Sequence, residues 1–242
     1  MAALAAKTLS NLCVGQAGIF EVETNGGLYS ILRCIRSDNR TLRAVGIRCL
    51  ANCSMDNRCR ALVCDLRATK DILRLLESHE PDVALNAAKT LVNISHRDQV
   101  KEDIRLDNGA RFIFQPLEYG DDEMKLLILM ILLNLCTDEN SAGSLCQYGL
   151  LNKLMMLMKS TPIDIQRLSA HCISLILDSG ISPEYVYNNT DMVEITDSLD
   201  YEEDLETAKY CFKIVSCFLD STFTQRRVNL MFFLTLFLQL FA

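Results

Sequence analysis

One eight-residue segment occurs twice in this chain, and the spacing of its copies constrains the fold more than any other feature. The segment AAKTLSNL spans residues 5–12, and AAKTLVNI, identical at six of the eight positions, spans residues 87–94. Its Leu-x-Asn core recurs midway between the copies and once beyond them. This gives four asparagines that are 41 residues apart: Asn11, Asn52, Asn93 and Asn134. Such a spacing predicts an internal repeat.

Three helical runs fill each 41-residue unit. A short run follows the asparagine, a middle run opens on an apolar pair such as Ile31-Leu32, and a longer run ends in Leu-x-Asn. Turn signals such as Asn25-Gly26-Gly27 and Asn108-Gly109 separate the runs. No strand-like alternation of apolar and polar residues interrupts this order. Three helices in about 40 residues, stacked several times, predict an all-α fold of the α-solenoid type.

The glycine-containing turn, the apolar middle helix and the third helix ending in Leu-x-Asn together resemble the armadillo-repeat family. The resemblance implies a right-handed α-solenoid with three helices per repeat, whose third helices line a concave protein-binding groove. It covers residues 1–219, with a partial first repeat over residues 1–13 followed by about five repeats. Residues 220–242 are interpreted as an apolar C-terminal tail or an incomplete further repeat.

Composition favours a folded intracellular protein. Half of the 242 residues are hydrophobic and only four are proline, which suits a helical chain with a large core. The net charge of −7 argues against nucleic-acid binding. The eleven cysteines include no CxxC pair, so the sequence predicts free thiols that pack as small apolar side chains in a reducing compartment. We therefore expect a cytoplasmic protein, with a nuclear location left open.

Groups that could carry out catalysis are not clustered in the sequence. The three histidines, His79, His96 and His171, have no nucleophile or metal ligand at a useful spacing. The chain also lacks a glycine-rich phosphate loop. The sequence therefore predicts a protein that is not an enzyme, with no catalytic residues, no metal site and no cofactor.

The asparagine of each repeat is the candidate peptide-binding residue. A primary amide offers both donors and an acceptor, so it can pair with a peptide bond whatever side chain lies beside it. Armadillo proteins use a row of such asparagines to hold an extended segment by its main chain. The resemblance implies this role for Asn11, Asn52, Asn93 and Asn134. The alternative is that each asparagine only bonds to nearby backbone at the end of its own helix.

A row of cations is predicted beside these asparagines. The residue four positions earlier lies on the same helical face, and it is Lys7, Arg48 and Lys89 in the first three repeats, followed by Met130 and His171. The chain has no tryptophan, the residue that clamps lysines of nuclear localisation signals in importin-α-like members. A basic row resembles instead the catenin-like members, which bind acidic, extended partners. We therefore predict a scaffold or adaptor that binds an extended, acidic protein or peptide segment.

Two alternatives stay open at this point. The first is a structural spacer that forms part of a larger armadillo protein. The second is a membrane-associated adaptor that uses the uncharged tail at residues 228–242, although its fifteen residues fall short of the roughly 20 that span a bilayer. Neither end carries a polar capping repeat, so we also expect a fragment or isoform of a longer array that self-associates through its ends.

Overall fold

Helices account for all the regular structure in the described part of the chain. The structure is a computed structural model that describes residues 8, 11, 13–106, 108–159, 162–190 and 204–220. Fourteen helices and no strands occur in these residues, so the predicted all-α class is confirmed. None of these helices has the length and apolar character needed to cross a bilayer. Lys7 and the tail at residues 228–242 lie outside the described residues.

The chain divides into two compact units, residues 1–135 and residues 136–242. In the described part of unit 1, nine helices form three groups of three. The first helices of the groups are α1 (Gln16–Thr24), α4 (Asn57–Asp65) and α7 (Asp98–Leu106). The second helices are α2 (Gly27–Ile35), α5 (Thr69–Leu75) and α8 (Gly109–Tyr119). The third helices are α3 (Arg40–Cys53), α6 (Pro81–Ile94) and α9 (Asp122–Leu135).

The third helices of unit 1 form a stack. Helix α3 packs against α6, and α6 packs against α9. Each third helix also packs against the second helix of its own group. The leucine of each Leu-x-Asn core is at the centre of this packing, because Leu50, Leu91 and Leu132 are all 0% exposed. Burial of apolar side chains between neighbouring repeats is the main term that stabilises such a stack.

A left-handed backbone turn joins the first and second helices of each of the first four groups. The turn residue has a positive φ of 67° at Gly26, 52° at Arg67, 53° at Asn108 and 85° at Gly149. Glycine adopts this conformation without strain, and asparagine does so more readily than most residues. Arg67 has a Cβ, so its backbone is strained in this conformation. Its guanidinium forms an ion pair with Asp103 at 3.0 Å.

Side-chain caps and a proline mark several helix starts. The Asn39 side chain accepts a hydrogen bond from Leu42 N at 3.1 Å at the start of α3, and Pro81 occupies the first turn of α6. The Asp56 carboxylate accepts from the first turn of α4, with Arg58 N at 2.8 Å. The two caps satisfy backbone N–H groups that have no partner inside the helix, and proline has no N–H that needs one, so these residues mark where the helices begin.

The described part of unit 2 repeats the same pattern. Its first group consists of α10 (Glu139–Gln147), α11 (Leu150–Leu157) and α12 (Ile163–Asp178), and its second contains α13 (Pro183–Asn188) and α14 (Leu205–Asp220). The third helices α12 and α14 pack together. Ile173 and Ile214 take the place of the core leucine, and both are 0% exposed.

Candidate functional site

The predicted site residues of unit 1 lie on its stacked third helices. Arg48 on α3 is exposed, and Lys89 on α6 is half-buried. Because α3 and α6 pack together, these two cations lie on neighbouring helices, one repeat apart. The ladder asparagines of the three helices, Asn52, Asn93 and Asn134, are half-buried, and Asn11 is exposed.

A groove of about 470 Å³ runs between α3 and the start of α6. Arg40, Ala44 and Arg48 line it from α3, and Asp82 and Asn86 line it from α6. The three α3 residues are four positions apart, so they form one stripe along the helix. The groove therefore presents guanidinium groups on one wall and a carboxylate and an amide on the other.

Ion pairs on this face link neighbouring repeats. Arg40 Nε lies 3.0 Å from Glu80 Oε1, and Arg43 Nη2 lies 3.4 Å from the same oxygen. The hydrogen bond from Arg40 is the main reason that the pKa of Glu80 is lowered below its usual value. Lys89 Nζ lies 3.3 Å from Glu123 Oε1 on α9. The Lys89–Glu123 pair is largely exposed and therefore weak, so a partner can displace it at little cost.

The asparagine side chains hydrogen-bond to the preceding repeat. Asn93 Nδ2 donates to Ser54 Oγ at 2.8 Å. One repeat further on, Asn134 Nδ2 donates to Ser95 Oγ at 2.9 Å and to Val92 O at 3.3 Å. Sequence reasoning considered a partner peptide or the asparagine's own helix end and missed this third arrangement. The signal was present as a serine two positions after Asn52 and Asn93, just past the end of each third helix.

We expect Asn93→Ala to lower the free energy of unfolding by about 1 kcal/mol, because it removes a half-buried hydrogen bond between repeats. Ser54→Ala should cost a similar amount, since its hydroxyl also donates to Ala51 O at 2.7 Å. In urea unfolding, the double variant should be about 1 kcal/mol less destabilised than the sum of the two. Strictly additive losses would mean that the Asn93–Ser54 bond adds no stability.

Aromatic and apolar side chains take the cation position in the later repeats. His171 occupies it in α12 and Phe212, which is 42% exposed, occupies it in α14. The His171 ring stacks on Tyr210 with the ring centroids 4.2 Å apart. Burial is the largest cause that lowers the pKa of His171, and the charge of Lys213 lowers it further. A basic row is therefore a feature of the early repeats only.

The cysteines mostly lie inside the helical packing. All eleven are free thiols, and nine of them are buried. Burial raises the pKa of Cys59 to about 11 and that of Cys146 to about 12, so both thiols stay protonated at neutral pH and pack as apolar groups. Within the described ranges, no group of three or more His, Cys, Asp or Glu side chains is arranged to hold a metal ion.

Comparison with known proteins identifies the fold. No family model and no curated protein matches the chain. A designed armadillo repeat protein aligns with a TM-score of 0.79 and 14% identity, over 89% of this chain and 92% of that one. Computationally designed armadillo repeat proteins for modular peptide recognition align at 0.80 with 14% identity, over 88% and 91% of the two chains. A designed armadillo repeat protein in complex with the peptide (KR)4 aligns at 0.77 with 13% identity, again over 88% and 91%. The chain therefore has the armadillo-repeat fold.

Proposed function

We propose that this armadillo-repeat chain is a scaffold that binds an extended, acidic segment of a partner protein along the faces of its third helices. The observation that carries the proposal is that Arg48 lines the groove and that Lys89 lies on the helix packed directly against that of Arg48. Packed helices lie about 8–10 Å apart, and an extended chain advances about 3.3 Å per residue. Acidic side chains two or three residues apart in the partner therefore match the spacing of the two cations.

The asparagines are proposed to bond to the main chain of the bound segment, and they differ in how many of their donors are already used. A primary amide has two N–H donors and one carbonyl acceptor. Asn93 donates to Ser54 Oγ, and a second N–H can donate to a carbonyl of the bound segment. Asn134 donates to both Ser95 and Val92, so its role is mainly to hold α9 against α6. Main-chain binding is accordingly assigned first to Asn52 and Asn93, and Asn11 and Lys7 remain predicted members of the row.

Exchange of an ion pair provides the recognition step. Lys89 forms its ion pair with Glu123 while 44% and 61% of the two side chains are exposed. A carboxylate from the partner can replace Glu123 at the Lys89 ammonium, because the existing pair is weak and hydrated. Glu123 thereby competes with the partner's carboxylate for Lys89 and lowers the affinity for the partner. A spacer without a binding function would show no such competition.

We expect Arg48→Glu combined with Lys89→Glu to weaken binding of a labelled peptide of alternating glutamate and serine by roughly tenfold. Glu123→Gln should have the opposite effect and strengthen binding, because it removes the internal competitor. Fluorescence anisotropy at two salt concentrations measures both effects, and added salt should weaken the wild-type complex. The peptide (KR)4 serves as the probe of opposite charge and should not bind the wild-type groove.

A matched control has the same charge change away from this face. Arg33 and Arg74 are exposed residues near the ends of the second helices α2 and α5, so Arg33→Glu combined with Arg74→Glu alters net charge equally. Peptide affinity should stay close to wild type in this control. If both double variants lost the same peptide affinity, the effect would come from overall charge rather than from this face. If the wild type did not bind the peptide, the structural spacer would be the better description of the chain.

A further inference from the structure

Three cationic side chains and a histidine meet where α6 turns into α7. Arg60 comes from α4, His96 and Arg97 from the turn, and Lys101 from α7. Arg97 Nη2 reaches across to Asn57 O at 3.3 Å, which brings the turn against the start of α4. Burial lowers the pKa of His96 most, and the charges of Arg60, Arg97 and Lys101 each lower it further. The histidine therefore reports a concentration of positive charge around it.

A reversal of charge at one repeat position explains this concentration. The equivalent residue is Asp56 before α4 and Asp138 before α10, and both carboxylates cap their helices. Asp56 accepts from Cys59 N at 3.1 Å, and Asp138 accepts from Ser141 N at 2.9 Å. Before α7 the position is Arg97. A guanidinium therefore replaces a carboxylate, and the acid that follows it, Asp98, is exposed at the surface.

The two arginines also keep donors that the protein does not use. Arg60 Nη1 donates to Ser54 O and Met55 O, each at 3.1 Å, and its Nη2 donates to Asn57 Oδ1. Within the described ranges, the Nε–H groups of both Arg60 and Arg97 are buried and have no hydrogen-bond acceptor. A buried donor without an acceptor is unfavourable, and more so when the group is charged. A ligand rich in acceptor oxygens would satisfy these donors if the guanidinium groups turned to expose them.

We propose that Arg60, His96, Arg97 and Lys101 form a binding site for a phosphate-class oxyanion. A tetrahedral dianion presents acceptor oxygens in several directions, which suits donors that approach from two helices and a turn. Its charge compensates the cations, and its oxygens provide acceptors for the two Nε–H groups once the guanidinium groups turn to expose them. The site adjoins Asn93, because Arg60 donates to the backbone of Ser54 and Asn93 donates to its hydroxyl. Its test uses inorganic phosphate, so the outcome does not depend on peptide binding.

The pKa of His96, followed by NMR in the full chain, tests the proposal directly. The chain has only three histidines, so the ring signal of His96 is identified by a His96→Gln variant. Adding inorganic phosphate at constant ionic strength should raise the pKa of His96 by about one pH unit and should saturate. Sodium chloride at the same ionic strength should not do so. A second arm compares a phosphoserine peptide with its unphosphorylated form, because the phosphate group could be free or carried by a protein.

Substitutions at Arg97 provide the decisive comparison. Arg97→Asp installs the carboxylate found at Asp56 and Asp138, so the pKa of His96 should already be raised and phosphate should change it no further. Arg97→Gln removes the charge alone and should weaken the phosphate response at least fivefold. Arg105→Asp, on the same helix α7 but outside the cluster, should respond as the wild type does. The proposal is overturned if neither form of phosphate shifts His96 in the wild type, or if Arg97→Asp responds equally.

Discussion

Replacing Leu91 with alanine is expected to lower the free energy of unfolding by about 3–5 kcal/mol, which is a large part of the stability of a typical domain. Leu91 is 0% exposed and lies on α6, the middle third helix of unit 1. That helix packs against α3, α5 and α9, and to a smaller extent against α4, so the substitution leaves a cavity beside a helix that contacts four others. The neighbouring repeats cannot collapse around it without losing their own contacts.

Urea unfolding followed by circular dichroism measures the loss. Leu106→Ala is the matched control, because Leu106 ends α7 in the same unit and is 67% exposed. The control should change stability by no more than about 0.5 kcal/mol. Similar losses in both variants would show that burial in the α6 stack is not what stabilises unit 1.

The repeat was readable from the sequence because it is made of positions that must be apolar in every copy. Leu50, Leu91 and Leu132 hold the same position and are all fully buried. Where isoleucine replaces leucine, at Ile173 and Ile214, burial is also complete. A helix stacked on two neighbours presents the same inward side each time, so hydrophobic pattern alone locates it.

The contacts of the candidate site were less predictable because they depend on residues one repeat away. The bond from Asn93 to Ser54 and the ion pair between Lys89 and Glu123 each join two successive third helices. Spacing along one helix places Asn93 and Lys89 on one face. It does not show which side chains of the next helix come within hydrogen-bond distance, because that depends on how closely the two helices pack.

Turn geometry gives a second example of the same limit. Gly26 and Gly149 are recognisable as residues for a positive φ, whereas Arg67 at the same position of its repeat has φ 52° without any sequence signal. Tertiary packing on both sides of the turn imposes the conformation there. The cation cluster around His96 also escaped sequence reasoning, since Arg60 and Arg97 are 37 positions apart in the numbering and meet only through the stacking of α4 on α6.

Gly46→Ala is expected to lower the free energy of unfolding by about 1–3 kcal/mol. At this position the repeat pattern and the packing of the helices predict opposite effects. The repeat argues for the opposite outcome, because Ala87 holds the equivalent position in α6 and is fully buried. Alanine also normally stabilises a helix interior by about 0.5–1 kcal/mol relative to glycine. At Gly46, however, an added Cβ would lie 2.7 Å from Cys34 Cβ and 3.1 Å from Ile35 N. Neither atom is the end of a flexible side chain, so α2 and α3 would have to move apart.

Gly143→Ala is the matched comparison for Gly46→Ala, with the same atoms added inside another helix. At Gly143 in α10 the nearest atom to an added Cβ is Ile181 Cδ1 at 3.5 Å, which is ordinary contact. This variant should gain about 0.5–1 kcal/mol from the reduced entropy of the unfolded chain. Urea unfolding of the two variants should therefore give changes of opposite sign. If Gly46→Ala were also stabilising, α2 would not pack against α3 as closely as the Cys34 and Ile35 distances require, and the repeat consensus would be the better guide to this position.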